Sequence, residues 1–331
     1  MAFIEKQRHG GHDYFYLVKS VRVSSSKVSK ARVFLGRKVP GHDKLQGFFR
    51  ELEKKTPKPY TANWLSQEAQ DRLEDLRASS AAFRGIPKDR VPNDFLVRYT
   101  YNTNAIEGNP LTLRQTALIL SEGIAPQGVR TDDVIEVLNG RDAWEFVKGY
   151  KGQVNRGFVT KAQYEITKNT ACRTQGGYRD SEVGITGSEW KPPLASRVPE
   201  LMGGLFGQYK KQKRTLHPVE LAAWLHNHLV QIHPFSDGNG RTARLLMNWV
   251  LLRNGFPPAI IEASNKEEYY KAIEASDKGN QKPFSGFVAA QLLGQYTTLQ
   301  TGQKEGQLKK DVEWGLAGKG RREKRVETPG Q

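Results

Sequence analysis

His233-Pro-Phe-Ser-Asp-Gly-Asn-Gly-Arg-Thr-Ala-Arg244 is the stretch from which the rest of the chain is read. Gly-Asn-Gly ahead of an apolar run turns sharply and opens a helix, so consecutive backbone N–H groups point out of the helix N-terminus and form an anion site. The macrodipole adds about half a positive charge there. Arg241 and Arg244, three residues apart, stand roughly 5–6 Å from each other on one helix face. Two guanidinium groups beside an N–H cradle suit a polyphosphate better than a single carboxylate. Asp237 next to that cradle would repel an anion unless a cation bridges them, which points to Mg2+. His233 titrates near neutrality and can accept a proton from an attacking hydroxyl. These parts are suited to phosphoryl or nucleotidyl transfer by positioning and charge neutralisation.

Outward from this loop the pattern is mainly α. Pro218 opens a strong helix over Pro218–Ile232, and the loop leads into another from about Arg241 to Arg253, ended by Asn254-Gly255 and Pro257-Pro258. Further helices are expected at Lys266–Ser276 and Phe284–Leu293. Upstream, Leu65, Ala69, Leu73, Leu76 and Phe83 recur near helical spacing until Gly85 and Pro87. Helices follow over Asp94–Ile106, from the capping-box pair Thr112 and Gln115 to Gly123, and over Val134–Tyr150. Two β pieces interrupt the trend. Tyr14–Val23 and Ala31–Leu35 are aromatic and β-branched, with Ser24–Lys30 as the turn of a hairpin or small meander. Arg173–Pro193, with four glycines and the β-like Glu182–Thr186, reads as a hairpin or flap. Residues 54–60 have the Pro and Lys of a linker.

The 331 residues suffice for a sizeable core without staples. A single cysteine, Cys172, allows no internal disulfide and fits a reducing compartment. Met1–Gly11 lacks the apolar segment of a secretory signal, and the apolar run Leu245–Leu252 is too short to span a bilayer, so a cytoplasmic protein without membrane association is expected. The net charge is +16. Residues 1–60 hold fourteen Lys and Arg against five Asp and Glu, which attracts nucleic acid, anionic lipid, acidic protein or nucleotide phosphates, or simply keeps a face solvated.

Residues 233–244 match in full the motif of the Fic family, His-x-Phe-x-Asp/Glu-Gly-Asn-Gly-Arg-x-x-Arg, and about residues 95–295 resemble that family. Gly177-Tyr178-Arg179 with Val183-Gly184-Ile185 is similar to its target-docking flap, and Glu268-Tyr269-Tyr270 to its closing helices. The resemblance implies a Fic-type helical bundle with a β-hairpin flap and a small N-terminal β element. By the resemblance together with the composition of its two ends, the chain divides into a basic β element and linker (1–60), a helical domain (61–298) with its flap at about 177–190, and a basic tail (299–331). The resemblance further implies a protein adenylyltransferase with ATP as substrate and Mg2+ as cofactor. His233 would deprotonate a Ser, Thr or Tyr hydroxyl of a target protein docked near Val183–Ile185, or of the chain itself. Asp237 would hold Mg2+, Gly238, Asn239 and Gly240 would cradle phosphates, Arg241 and Arg244 would clamp them, and Tyr269 would contact adenine, with Asp277 near the adenine pocket. Thr103-Asn-Ala-Ile-Glu107-Gly108 is similar to the family's inhibitory motif, with Glu107 occupying Arg244 in place of the γ-phosphate.

Other readings weigh less. His226, His228 and His233 invite a zinc site, but His-x-His on a helix points its rings about 200° apart. Gly238–Ala243 formally fits a dinucleotide fingerprint with Glu262 downstream, yet a helix rather than a strand precedes it. Two alternatives stay open: a same-fold enzyme that removes AMP or moves another phosphate-containing group, and a nucleic-acid-binding regulator that uses the basic N-terminal region.

Overall fold

The computed structural model describes residues 2–22, 28–56, 60, 64–82, 93–185 and 189–296. The Gly85-Pro87 stop and the basic tail lie outside the described residues. The chain starts with an antiparallel meander, β1 (Ala2–His9), β2 (His12–Arg22) and β3 (Val28–Gly36), in the order β1-β2-β3. Helix α1 (His42–Lys55) packs on one face of it. Leu17, Ala31, Val33, Leu35 and Leu52 form that small core, since alternate strand residues share a face and Leu45, Phe48 and Leu52 share a helical stripe. The helices that follow are α2 (Gln67–Ala82), α3 (Asn93–Ile106), α4 (Leu113–Glu122), α5 (Thr131–Gly149), α6 (Arg156–Thr167), α7 (Val198–Gln212), α8 (Pro218–Ile232), α9 (Asn239–Arg253), α10 (Lys266–Asp277) and α11 (282–296).

The centre is the antiparallel pair α8 and α9, joined by the loop 233–238. α8 buries Leu221, Ala222, Trp224, Leu225 and Leu229, while α9 buries Ala243, Leu245, Leu246, Met247 and Val250. Both helices are apolar nearly all round because α5, α6, α7 and α10 cover them. His217 caps α8 in a reciprocal box with Glu220, and Pro218 sits at its first turn. The buried Glu220 carboxylate also accepts the N–H groups of Trp64 and Leu65 at 2.7 and 2.9 Å, which ties the approach to α2 onto α8. The Thr112–Gln115 box opens α4, and Gly123, in the left-handed region at φ 70°, ends it.

Several elements depart from the sequence expectation. β1 lies in the polar N-terminal stretch: AFIEKQRH has no clean alternation and is a strand because β2 pairs with it from Ala2↔Lys19 to His9↔His12. α1 extends to Lys55, so the expected 54–60 linker begins inside a helix. α6 and α7 fill stretches with no expected helix, although their buried residues (Phe158, Ala162, Ile166; Val198, Met202, Leu205, Tyr209) keep helical spacing. In the flap, the described residues Glu182–Ile185 carry no strand pairing, and Thr186 is outside the described residues. The base of this segment is held by a side chain instead, as described next.

Candidate active site

The loop between α8 and α9 is shaped by its own residues. His233 ends α8 in the left-handed region at φ 49°, ψ 59°, and its N–H still donates to Leu229 O at 2.9 Å. Phe235 is fully buried and anchors the loop in the core. The Asn239 side chain staples it, accepting from Phe235 N at 3.0 Å and donating to Phe235 O at 2.9 Å. Gly238 (φ 79°) caps α9, and a Cβ there would come 2.9 Å from Thr167 Cγ2, so only glycine fits without strain. Gln163 of α6 braces the loop from behind, donating to Asp237 O at 3.2 Å and accepting from Gly176 N at 2.7 Å.

The two arginines are buried; Arg244 uses all three of its nitrogens, whereas Arg241 Nε has no hydrogen-bond partner among the described residues. Arg241 donates to Glu136 of α5 at 2.8 Å and to Asp237 at 3.0 Å. Arg244 donates from Nε to Thr103 Oγ1 at 2.9 Å, from Nη2 to Thr103 O at 2.9 Å and to Glu107 at 2.7 Å, and from Nη1 to the Tyr269 hydroxyl at 3.2 Å. Burial opposes the charge on each, but neighbouring groups outweigh it and raise both pKa values: Glu136 with Asp237 around Arg241, and Tyr269 with Glu107 around Arg244. The Glu107 carboxylate also fills the space over Gly240. A Cβ on Gly240 would overlap Glu107 Oε1 and lie 3.1 Å from Arg244 Nη1.

Tyr269 is buried and touches the clamp. Asn227 donates its amide hydrogens to Ser276 Oγ (2.7 Å) and Gln281 Oε1 (3.0 Å), so its carbonyl oxygen takes the Nδ1–H of His226 (3.0 Å). His226 Nε2 is then left to accept the Tyr269 O–H at 2.9 Å, and the Tyr269 oxygen accepts from Arg244. Burial depresses the His226 pKa to about 3, which keeps the ring neutral for this role. Asp277, expected near an adenine pocket, accepts from Gln231 Nε2 at 3.1 Å.

His233 itself is held from the flap side. Arg179, buried, donates to His233 O at 2.8 Å and Ser181 O at 3.0 Å, and also to Pro193 O, while its N–H donates to Pro234 O at 2.9 Å. One guanidinium thus joins both feet of the flap to the backbone of the loop. Burial, helped by the Arg179 charge, lowers the His233 pKa below its ordinary value, with Glu107 and Asp237 opposing. Beside the loop opens a cavity of about 490 Å³ lined by Glu107, Asp133, Glu136, Cys172, Ser236 and Asp237. Among the described residues no three His, Cys, Asp or Glu side chains converge as a metal cage. Both ring nitrogens of His226 are engaged by Asn227 and Tyr269, and His228 Nδ1 lies 2.9 Å from Trp224 O.

Glu107, Arg244, Arg241, Asp237, His233 and the start of α9 are therefore brought together around one loop. Glu136, Arg179, Gln163 and the His226–Asn227 pair are additions. Only Arg179 had a local signal, its place in the flap motif; the others act through contacts between distant helices.

Residues 156–251 match the model of the Fic/DOC family. Two curated relatives are each named protein adenylyltransferase Fic. The one from Nematostella vectensis is 34% identical over 233 residues, 68% of this chain and 54% of its own length. The one from Aedes aegypti is 33% identical over 232 residues, 68% of this chain and 46% of its own. The chain thus spans about half the length of the curated relatives it matches. A Fic-domain-containing signaling protein from Bacteroides thetaiotaomicron superposes with a TM-score of 0.62 at 26% identity, over 68% of this chain and 94% of that one. Fic-1 from C. elegans (residues 134–508) shares the fold, with a TM-score of 0.64 at 24% identity over 81% of this chain and 79% of that one. With its motif folded into the loop that joins two core helices, the chain belongs to the Fic/DOC family.

Proposed function

We propose that the chain is an auto-inhibited protein adenylyltransferase that moves AMP from ATP to a Ser, Thr or Tyr hydroxyl of a target protein. The observation that carries this reading is the Glu107 carboxylate seated on Arg244 and over Gly240, an anion held at the start of α9 where a phosphate would be bound. The curated relatives' names support the choice of AMP and of a protein acceptor.

Neutral at pH 7, His233 can take the proton as the acceptor oxygen attacks the α-phosphorus and pyrophosphate leaves. Arg179 fixes the backbone of that base and the feet of the flap, so a target docked near Val183–Ile185 is placed relative to His233. The N–H groups of Gly238, Asn239 and Gly240 would cradle the phosphates, that of Gly238 on release from Asp237 Oδ1, to which it donates at 2.6 Å. Arg241 is oriented toward the inner phosphates by Glu136 and Asp237, and Arg244 toward the γ-phosphate by Thr103 and Tyr269. Tyr269, through its ring, and Asp277 stand toward the adenine side. Mg2+ fits the donor set: Asp237 is half-exposed, Glu107 and Glu136 add negative charge to the same cavity, and one carboxylate with substrate phosphates and waters is a usual Mg2+ site. Bound there, the ion would neutralise phosphate charge.

Glu107 works as a brake because it occupies the guanidinium that would hold the γ-phosphate. A triphosphate bound around it is displaced, and a shift of about 1 Å can cost a hundredfold in rate. The single cysteine, Cys172, favours a reducing, cytoplasmic setting; among the described residues no helix is long and apolar enough to cross a membrane. The donor and acceptor are tested with ATP labelled at either end of the triphosphate. Label at the α-phosphate should appear on protein and label at the γ-phosphate should not. Transfer of the γ-label, or removal of AMP from a modified protein without net transfer, would replace this reading with the same-fold alternatives.

A further inference from the structure

The meander has two unlike faces. On the side packed against α1 lie Ala2, Phe15, Leu17, Ala31, Val33 and Leu35. The register puts Phe3, Tyr14, Tyr16, Lys30, Arg32 and Phe34 on the other side. There Phe34 is 50% exposed and Phe3 46% exposed, unusual for phenylalanine on a strand that has a core to join. Tyr16 and Tyr14 stand beside Phe34, with ring centroids 5.3 and 6.2 Å away. Cations are interleaved with the rings. Arg37 lies 5.8 Å from the Tyr14 ring centroid, Lys30 is exposed at the far end, and Arg32 crosses the middle. The single acid on this face, Glu5, is matched by Arg32 at 3.1 Å. None of these rings belongs to a hydrophobic cluster among the described residues.

We propose that this outer face binds single-stranded nucleic acid. The occupant follows from charge and shape together. Fourteen Lys and Arg against five Asp and Glu in residues 1–60 favour a polyanion. Half-exposed flat rings spaced along a sheet offer stacking surfaces to unpaired bases, which a duplex keeps stacked on one another. A purely apolar partner would leave the charges of Lys30 and Arg37 unanswered, Arg32 being matched by Glu5 already, and an anionic membrane would use the cations but not the planes of the rings. The proposal is independent of the transfer chemistry, since no residue of the loop 233–244 takes part.

The test is fluorescence anisotropy of the full chain with labelled oligonucleotides of about 12 nucleotides, within the usual range of site sizes. Single-stranded DNA and RNA of one sequence, the corresponding duplex, and phosphatidylglycerol vesicles are compared near physiological salt. A single strand should bind more tightly than the duplex, whichever sugar it carries. Phe34→Ser and Phe34→Leu should each weaken it at least about fivefold, since leucine keeps the apolar bulk but not the stacking plane. Ile124→Ser, an equally exposed apolar site on the helical part, should leave binding unchanged, and circular dichroism checks that each variant is folded. Absence of binding, a duplex bound as tightly as the single strand, binding to vesicles alone, or Phe34 variants that fold and bind normally would each overturn the proposal.

Discussion

Gly240 shows how closely the site is filled. Its Cα faces Glu107 Oε1 and Arg244 Nη1 so directly that no side chain fits while the carboxylate is in place. Gly240→Ala should therefore cost more stability in the wild type than in a Glu107→Gly background, with a coupling of roughly 0.5–3 kcal/mol, as for residues in contact. Urea unfolding of the four proteins of that cycle measures it, and additive effects would place Glu107 elsewhere. At this scale the sequence was most informative, because the loop residues are contiguous and each one's chemistry is tied to a helix end. It was blind to Glu136, which lies 105 residues from Arg241 and meets it only once α5 packs against α9. It was equally blind to the Tyr269 hydroxyl as a support for Arg244, since the resemblance assigns that ring to adenine.

Among elements, the link between α8, α9 and α10 runs through the buried His226, which joins Asn227 to Tyr269 and so to Arg244. A neutral buried histidine has a pH consequence whose sign is fixed. Its folded pKa, about 3, lies below the ordinary value of 6.5. Between those values the unfolded chain binds a proton that the native state refuses, so stability is full above about pH 6.5 and falls as pH drops toward 3. From pH 7 to pH 5 His226 alone should account for about 2 kcal/mol. His226→Phe should lower stability at neutral pH, through the stranded Tyr269 and Asn227 groups, yet show a shallower loss on acidification in urea titrations. An unchanged slope would mean that His226 accepts a proton in place. Elements were legible where caps and periodicity agreed, as in α8, whose expected and observed bounds coincide. α6 and α7 carried the spacing and a cap or a Pro at the first turn, Asn155 and Pro199, so their signals were present without being read as helices. β1 had no such signal, because its pattern is set by pairing rather than by a buried face.

For the molecule as a whole, the meander with α1 and the helical part hold separate hydrophobic clusters among the described residues. Glu220 marks where they can be parted, because it binds the backbone of Trp64 and Leu65. A chain beginning at residue 61 should keep its helical circular dichroism and thermal transition. One beginning at residue 67 leaves a buried carboxylate without two of its donors and should melt several degrees lower, at about 1–3 kcal/mol for the stranded group. Equal melting of the two would show that the Glu220 tie is dispensable.

Transfer by the loop 233–244 and its restraint by Glu107 through Arg244 form one proposed mechanism. It is tested most directly by incubating wild type, Glu107→Gly and Glu107→Gly/His233→Ala with α-labelled ATP and a lysate as the source of target protein. Faint labelling by the wild type, a roughly hundredfold or greater increase with Glu107→Gly, and loss of that signal when His233 is also replaced are expected of this mechanism. A folded Glu107→Gly protein that labels no more than the wild type, or labelling that persists without His233, would contradict it.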